Sequence, residues 1–242
     1  AALGVGFIFL MTSLGAASVL FCREDTLPKS QTGMMGFAGG VMTAATVWSM
    51  LLPAIEQTRA EGTLPCWLPA AAGTAAGAAF LCALDALILC LRRGGSAEKS
   101  SMLMTAITLH NIPEGMAVGL AFALSGGADG LTAAAALALG IGVQNVPEGA
   151  AVSLPLRRLG MSRGRAFSMG VLSGAVEPLF GMLAVMAVSG ISRIMPWLLG
   201  FSAGAMLYVV VCELIPAADD RRGLFWYIAG FLLMMILDVA LG

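Results

Sequence analysis

The sequence has few charged residues. Only 11% of its 242 residues are Asp, Glu, Lys or Arg, and 59% are hydrophobic, whereas soluble domains carry roughly 25% charged residues. This shortage excludes a soluble globular domain. A bilayer core about 30 Å thick needs roughly 20 apolar residues per helix, so the chain has to be read as a series of membrane spans.

Cysteine and histidine are also scarce. There are five cysteines and one histidine, and no two cysteines form a CxxC pair. Neither a disulfide framework nor a structural zinc site built on cysteine is expected. The apolar segments are continuous and do not alternate with a period of two, which argues against a β-barrel.

Clusters of Gly, Pro and charged residues divide the chain into eight apolar segments. We therefore expect an all-α integral membrane protein with eight transmembrane helices in a single membrane domain, residues 1–242. The first segment has no basic residue ahead of its apolar core, so we interpret it as a helix and not as a signal peptide. The spans are predicted at residues 3–22, 31–54, 64–91, 101–125, 130–156, 165–190, 195–217 and 224–241.

Basic residues fall almost entirely on one side of this arrangement. Of the 13 Lys and Arg residues, only Arg59 and Arg193 lie in loops on the other side. The positive-inside rule puts the basic loops in the cytoplasm and both termini outside. The residues on the basic side are Arg23, Lys29, Arg92, Arg93, Lys99, Arg157, Arg158, Arg163, Arg165, Arg221 and Arg222.

A motif occurs twice inside the apolar spans. HNIPEG at residues 110–115 and QNVPEG at 144–149 lie in the fourth and fifth spans, where an isolated carboxylate costs at least a few kcal/mol. No Lys or Arg occurs within the interior of any span. A salt bridge therefore cannot neutralise Glu114 and Glu148, whereas a bound cation can.

The first, second and fifth residues of each motif share one face of a helix. They are His110, Asn111 and Glu114 in the fourth span and Gln144, Asn145 and Glu148 in the fifth. Because these spans are consecutive and antiparallel, the two faces can meet and hold two ions between them. One imidazole with carboxylates and amides suits Zn, Fe, Mn, Co or Cd. The alternative is that these polar side chains only hydrogen-bond between helices.

Other polar residues inside the spans extend this hypothesis. Glu177 precedes Pro178 in the sixth span, and we predict it as a third acidic ligand. Asp85 and Glu213 are predicted as carboxylates that the ion passes on its way out to the cytoplasm. Met50 lies among apolar residues, and its position alone indicates packing.

A second repeat relates distant spans. Residues 49–54, SMLLPA, resemble residues 212–217, CELIPA, so that Met50 corresponds to Glu213. This offset predicts a 3+2+3 arrangement, in which inverted outer repeats flank a central helix pair, as is common in secondary transporters.

With its twin PEG motif, eight spans and outside termini, the chain resembles the ZIP (Zrt-/Irt-like) metal transporters, and among them the bacterial GufA-like branch. The resemblance implies two adjacent ion sites bridged by Glu114 and Glu148. It implies that Glu213 and Asp85 line the cytoplasmic release route and that Met50 is a ligand. The first ion would have His110, Glu114, Gln144, Glu148 and Met50 around it, and the second Asn111, Glu114, Asn145, Glu148 and Glu177.

Two departures from the family pattern bear on this prediction. Some members have Asp where this chain has Asn145, and the residues between Arg92 and Ser100 lack the His-rich run of many members. The missing charge would weaken the second ion site or alter selectivity, and metal sensing through that loop is not expected.

We expect a transporter that moves divalent metal, zinc foremost, into the cytoplasm across a bacterial plasma (inner) membrane. It would need no resident cofactor and would not be an enzyme. Its partners would be divalent metal ions and the lipid bilayer, with no nucleic acid; a homodimer stays open. The alternative is an intramembrane metal-dependent hydrolase, against which the absence of an HExxH motif argues.

Overall fold

The computed structural model describes the backbone of residues 1–21, 27–91 and 96–241. It describes the side chains of residues 1–21, 32–87, 108–109, 111–128, 130–188 and 193–240. Among the predicted basic loop residues, Arg23, Arg92 and Arg93 lie outside these ranges, and Lys29 and Lys99 are described only in their backbone.

Helices form all of the regular structure in the described ranges. Most of them are long, and two are interrupted by a short π-helical segment that we call π1 or π2. In chain order the elements are α1 (Ala2–Phe21), α2 (Leu27–Ala45), π1 (Thr46–Leu51), α3 (Leu52–Glu61), α4 (Leu68–Leu91), α5 (Ser96–Leu124), α6 (Gly127–Arg158), α7 (Arg163–Gly174), α8 (Val176–Met186), α9 (Val188–Val209), π2 (Val210–Leu214), α10 (Ile215–Ala217) and α11 (Arg221–Leu241).

The all-α membrane class is confirmed. Within the described residues, seven helical stretches are long and apolar enough to cross a membrane, and the apolar part of α5, Asn111–Leu124, is shorter. A helix nevertheless lies at each of the eight predicted positions. The eighth crossing, through α5, stays a prediction on this measure.

The helix boundaries differ from the predicted ones in two informative places. The sixth span is not one continuous helix, because the helix is interrupted at Ala175 between α7 and α8. Arg193, predicted in a loop, lies inside α9. A single charged residue does not fix the end of a helix. A Pro does not fix it either, since Pro is tolerated in the first turn of a helix.

Glycines mark the closest contacts between helices. The missing Cβ lets two backbones approach, and these approaches pair α1 with α6, α5 with α8, α2 with α11 and α4 with α9. The glycines concerned are Gly15, Gly119, Gly40 and Gly77, in that order. An inverted repeat would match α1 with α8, α2 with α9, α4 with α11 and α5 with α6. Under this matching the pair α1 and α6 corresponds to the pair α8 and α5, and the pair α2 and α11 corresponds to the pair α9 and α4. This is the pattern that inverted outer repeats around a central pair predict.

The two π segments repeat the same symmetry. π1 and π2 each end two residues before a proline, Pro53 and Pro216, that lies in the first turn of the next helix. They also coincide with the two copies of the sequence repeat at residues 49–54 and 212–217. A π turn holds an extra residue and is frequent at functional sites.

Candidate metal site

The two copies of the motif lie side by side in the middle of the bundle. α5 and α6 carry them without interruption, although Pro113 and Pro147 are inside these helices. The Nε2 of Gln144 donates a hydrogen bond to the Oε1 of Glu114. The first residue of one motif thus meets the fifth residue of the other, as expected for antiparallel helices whose polar faces meet.

Glu177 joins the motif from α8. It lies in the first turn of that helix, and its Oε1 accepts a hydrogen bond of 3.2 Å from the Nδ2 of Asn111. The same Asn111 nitrogen also lies 3.3 Å from the carbonyl oxygen of Ser173 on α7. The break at Ala175 therefore has a consequence for the site, because it places Glu177 in the first turn of a new helix, where a negative charge is stabilised by the helix dipole.

The glycine of each PEG sequence makes this proximity possible. A Cβ on Gly115 would lie 2.3 Å from the carbonyl oxygen of Glu177, and one on Gly149 would lie 2.0 Å from that of Thr12. Both distances are far below van der Waals contact. Gly115 and Gly149 thus bring α8 and α1 against the two motifs.

The remaining motif residues are equally buried. Asn145 and Glu148 are both 0% exposed, and the carboxylate of Glu148 lies close enough to that of Glu177 for the two to repel each other. Glu114 is 1% exposed and Glu177 is 0% exposed. Three carboxylates thus lie in a region of the chain, residues 101–156 and 166–188, that contains no Lys or Arg.

Several amide and carboxylate atoms at the site are buried without a hydrogen-bond partner among the described residues. They are the Oδ1 of Asn111, the Oε1 of Gln144, both side-chain polar atoms of Asn145 and the Oε2 of Glu177. Buried polar atoms almost always have a partner. Oxygens of this kind are the ligands that a divalent cation takes.

Met50 reaches the same region from π1. Its side chain is 1% exposed and belongs to the core cluster that contains Ala150 and Ala151, directly after the second motif. The side chain of His110, the predicted imidazole ligand, lies outside the described residues.

No three His, Cys, Asp or Glu side chains of the described part of the chain are gathered closely enough to hold an ion by themselves. The ligand set would therefore need the amides, the Met50 thioether or the imidazole of His110 beside the carboxylates. The sequence predicts such a mixed set.

Asp85 and Glu213 occupy separate places. Asp85 on α4 accepts a hydrogen bond of 3.1 Å from the hydroxyl of Tyr208 on α9. Glu213 is half-buried inside π2, at the position that the repeat matches with Met50 in π1. Their role on an exit route stays a prediction.

A cavity of about 360 Å³ opens beside the site. It contains the carboxylates of Glu56 and Asp238, and the hydroxyl of Ser49 donates a hydrogen bond of 2.9 Å to the Oδ1 of Asp238. Ser49 is adjacent to Met50 in the chain, and Gly140, also in the cavity wall, lies one helical turn before Gln144. The wall of this acidic cavity thus comes within about one helical turn of the twin motif along the chain.

Comparison with known proteins places these features in a family. The profile of the family described as ZIP Zinc transporter matches residues 91–238, which include both motifs and Glu177. The chain belongs to the ZIP family. Its members are transporters, so the hydrolase alternative is set aside and this ZIP chain is not an enzyme.

Individual relatives match the ZIP chain over nearly its whole length. It is 38% identical to the zinc transporter GufA of Myxococcus xanthus, with 96% of this chain and 94% of the relative covered. It is 37% identical to the zinc transporter ZIPB of Bordetella bronchiseptica, with 100% and 81% covered. It is 34% identical to the human zinc transporter ZIP11, with 100% and 97% covered.

Sequence reasoning missed two polar groups near the twin motif of this ZIP chain. Asp238 was left out because it lies near the end of the last span, although Ser49 and Glu56 accompany it in the cavity. Thr12 was missed because a hydroxyl in an apolar helix resembles ordinary packing. Its hydroxyl donates a hydrogen bond of 2.7 Å to the Oε1 of Glu177, 165 residues away.

Proposed function

We propose that this ZIP protein carries divalent metal ions, zinc foremost, into the cytoplasm through a two-ion site built on the twin motif. The observation that carries the proposal is the burial of Glu114, Glu148 and Glu177, at most 1% exposed, in stretches of the chain (residues 101–156 and 166–188) without a basic residue. Buried charges need compensation, and a divalent cation provides it and is moved as cargo.

The ligands of the first ion are His110, Glu114, Gln144, Glu148 and Met50, and those of the second are Asn111, Glu114, Asn145, Glu148 and Glu177. Support comes from the contacts that join the motifs to each other and to Glu177, and from the buried position of Met50. For Gln144 to bind the ion, its amide has to turn so that the oxygen replaces the nitrogen that now faces Glu114.

The two ions would not be held equally. The first site alone has an imidazole, because His110 is the only histidine of the chain and the second ion has the amides of Asn111 and Asn145 instead. Imidazole is a strong ligand for zinc, whereas amide oxygens are weak ones. We propose that the first ion binds more tightly and that the weak amide ligands permit release.

The route runs from the acidic cavity, past the twin motif, to Glu213 and Asp85. Asp238 and Glu56 attract a cation at the outer end, where the positive-inside rule places the C-terminus. A membrane potential that is negative inside favours entry of a doubly charged ion by about 4.6 kcal/mol per 100 mV. Uptake therefore needs no ATP.

Zinc and a bacterial plasma membrane are the substrate and location that the relatives favour. The GufA and ZIPB relatives are bacterial proteins named as zinc transporters. The ligand set is also compatible with iron, manganese, cobalt and cadmium.

The test is zinc uptake into proteoliposomes that contain the purified protein and an interior-negative potential. We expect saturable uptake by the wild type, and uptake close to that of empty liposomes with the double variant Glu114→Ala, Glu148→Ala. Undiminished uptake by the double variant would overturn the proposal.

Glu61→Ala is the matched control, because Glu61 is exposed at the end of α3 and away from the motif. This variant should transport like the wild type. Reversing the potential should slow net uptake, since the charge of the ion then opposes entry.

A further inference from the structure

The first helix contributes a polar group to the metal site. α1 contains no charged residue, and its sequence indicates only a membrane span. Yet the side chain of Thr12 is 0% exposed and its Oγ1 lies 2.7 Å from the Oε1 of Glu177. By contrast, the hydroxyl of the neighbouring Ser13 donates to the Phe9 carbonyl of its own helix.

The Thr12 hydroxyl has two candidate acceptors and a single proton. Besides Glu177, the carbonyl oxygen of Ile8 lies 3.2 Å away. A hydrogen bond to a carboxylate is shorter and stronger than one to a neutral carbonyl, and the distances agree with that order. The proton therefore goes to Glu177.

Thr12 is held in place by backbone contacts on two sides. A Cβ on Gly15 would lie 1.9 Å from the carbonyl oxygen of Val146, so α1 rests directly on α6 inside the second motif. A Cβ on Gly174 would lie 2.8 Å from the Cγ2 of Thr12 and 3.3 Å from the Oε1 of Glu177. The space around this hydrogen bond is filled, so neither partner can easily turn away.

The inverted repeat gives Thr12 a defined counterpart. Gly115 in the first motif packs on the carbonyl of Glu177, and Gly149 in the second motif packs on the carbonyl of Thr12. The repeat thus places Thr12 where Glu177 lies in the other half. One half supplies a carboxylate and the other supplies a hydroxyl that bonds it.

We infer that Thr12 is a positioning residue for the second ion. Thr12 and Asn111 both bond the Oε1 of Glu177, while the buried Oε2 has no hydrogen-bond partner among the described residues. Fixing one oxygen leaves the other directed to the cation. This inference rests on the proposed two-ion site and adds α1 to the helices that determine its affinity.

The experiment compares Thr12→Val with Thr12→Ser in the proteoliposome assay. Val keeps the shape and removes the hydroxyl, whereas Ser keeps the hydroxyl. A hydrogen bond to a charged group corresponds to roughly tenfold or more in affinity. We expect about a tenfold higher KM for zinc with Val, little change in Vmax, and recovery of most of the affinity with Ser.

Thr58→Val is the matched control. Thr58 is also buried, at 2% exposure, but its hydroxyl donates to the Ala54 carbonyl of its own helix. This variant should keep the wild-type KM. A KM unchanged by Thr12→Val, or a Ser variant as impaired as the Val variant, would overturn the positioning role.

A double-variant cycle decides the case if Thr12→Val lowers stability. Zinc affinity is measured by calorimetry on the purified wild type, Thr12→Val, Glu177→Gln and the combined variant. If Thr12 acts through Glu177, the combined variant binds zinc like Glu177→Gln alone. If the losses of zinc affinity of the two single variants multiply in the combined variant, the inference is wrong. A wild type without zinc uptake would overturn the proposed function and this inference together.

Discussion

The ligands proposed for the two ions differ at single residues. The second ion has Asn145 where a carboxylate would add a negative charge, and both polar atoms of that amide are buried without a partner among the described residues. The strength of each ion site is thus determined by a few side chains, and each can be changed separately.

The first prediction concerns Asn145→Asp. The added charge should strengthen the second site, so that two zinc ions bind per chain at a lower free zinc concentration than in the wild type. Calorimetry together with metal analysis of the purified protein measures this. Gln144→Glu is the comparison, because it adds the same charge on the side of the first ion; the account is wrong if Asn145→Asp leaves the stoichiometry curve unchanged.

The second prediction concerns Met50→Leu. The two side chains have similar volumes, so the substitution should cost less than about 1.5 kcal/mol of stability while it removes the thioether. Cadmium uptake should fall more than manganese uptake, since sulfur prefers soft ions. Met42→Leu, another fully buried methionine, should change neither; equal loss for both metals would remove Met50 from the ligand set.

At this scale the sequence predicts the acidic residues well and the neutral ones poorly. Glu114, Glu148 and Glu177 stand out because a carboxylate within an apolar span is rare. Thr12 does not, because a threonine is common in such a span and its partner is distant in the sequence. Which hydroxyl meets which carboxylate depends on helix packing and cannot be read from spacing.

Helices approach one another most closely at glycines, which have no side chain to separate the two backbones. The third prediction is that Gly15→Ala destabilises the protein by about 1 to 3 kcal/mol, because its Cβ would lie 1.9 Å from a carbonyl of α6. Thermal unfolding in detergent measures the change. Gly6→Ala in the same helix has nothing within 4 Å and should unfold like the wild type; equal unfolding of both variants would contradict this packing.

Breaks and π turns are the features of the elements that the sequence does not predict. Pro53 and Pro216 mark the two repeats, but the extra residue of each π turn depends on what packs around it. Likewise nothing in the sequence marks Ala175, where the helix of the sixth span ends and a new one begins. These local departures occur beside Met50, Glu213 and Glu177.

The arrangement of the whole molecule follows from composition, repeats and charge asymmetry. Continuous apolar segments predict the all-α membrane class, and the offset repeats predict the symmetric helix pairing. The orientation in the membrane rests on the loop charges alone. The path of the ion through the bundle requires contacts between helices, which is why the acidic cavity around Asp238 was not predicted.

The fourth prediction tests the orientation. Cys66 lies in the short connection between α3 and α4 and is partly exposed, on the side that the account places outside. With the other cysteines replaced by serine, a membrane-impermeant maleimide should label Cys66 in intact cells. In a chain with Cys66→Ser and Asp219→Cys, labelling should require permeabilised cells; the reverse pattern would invert the proposed direction.

The central claim is that the twin motif holds two transported ions. The most direct measurement is anomalous scattering at the zinc edge from crystals grown with zinc. We expect two peaks between α5 and α6, about 3.5 to 4 Å apart, with Glu114 and Glu148 between them and Glu177 beside one. Zinc peaks elsewhere in the bundle, with none at the motif, would contradict it.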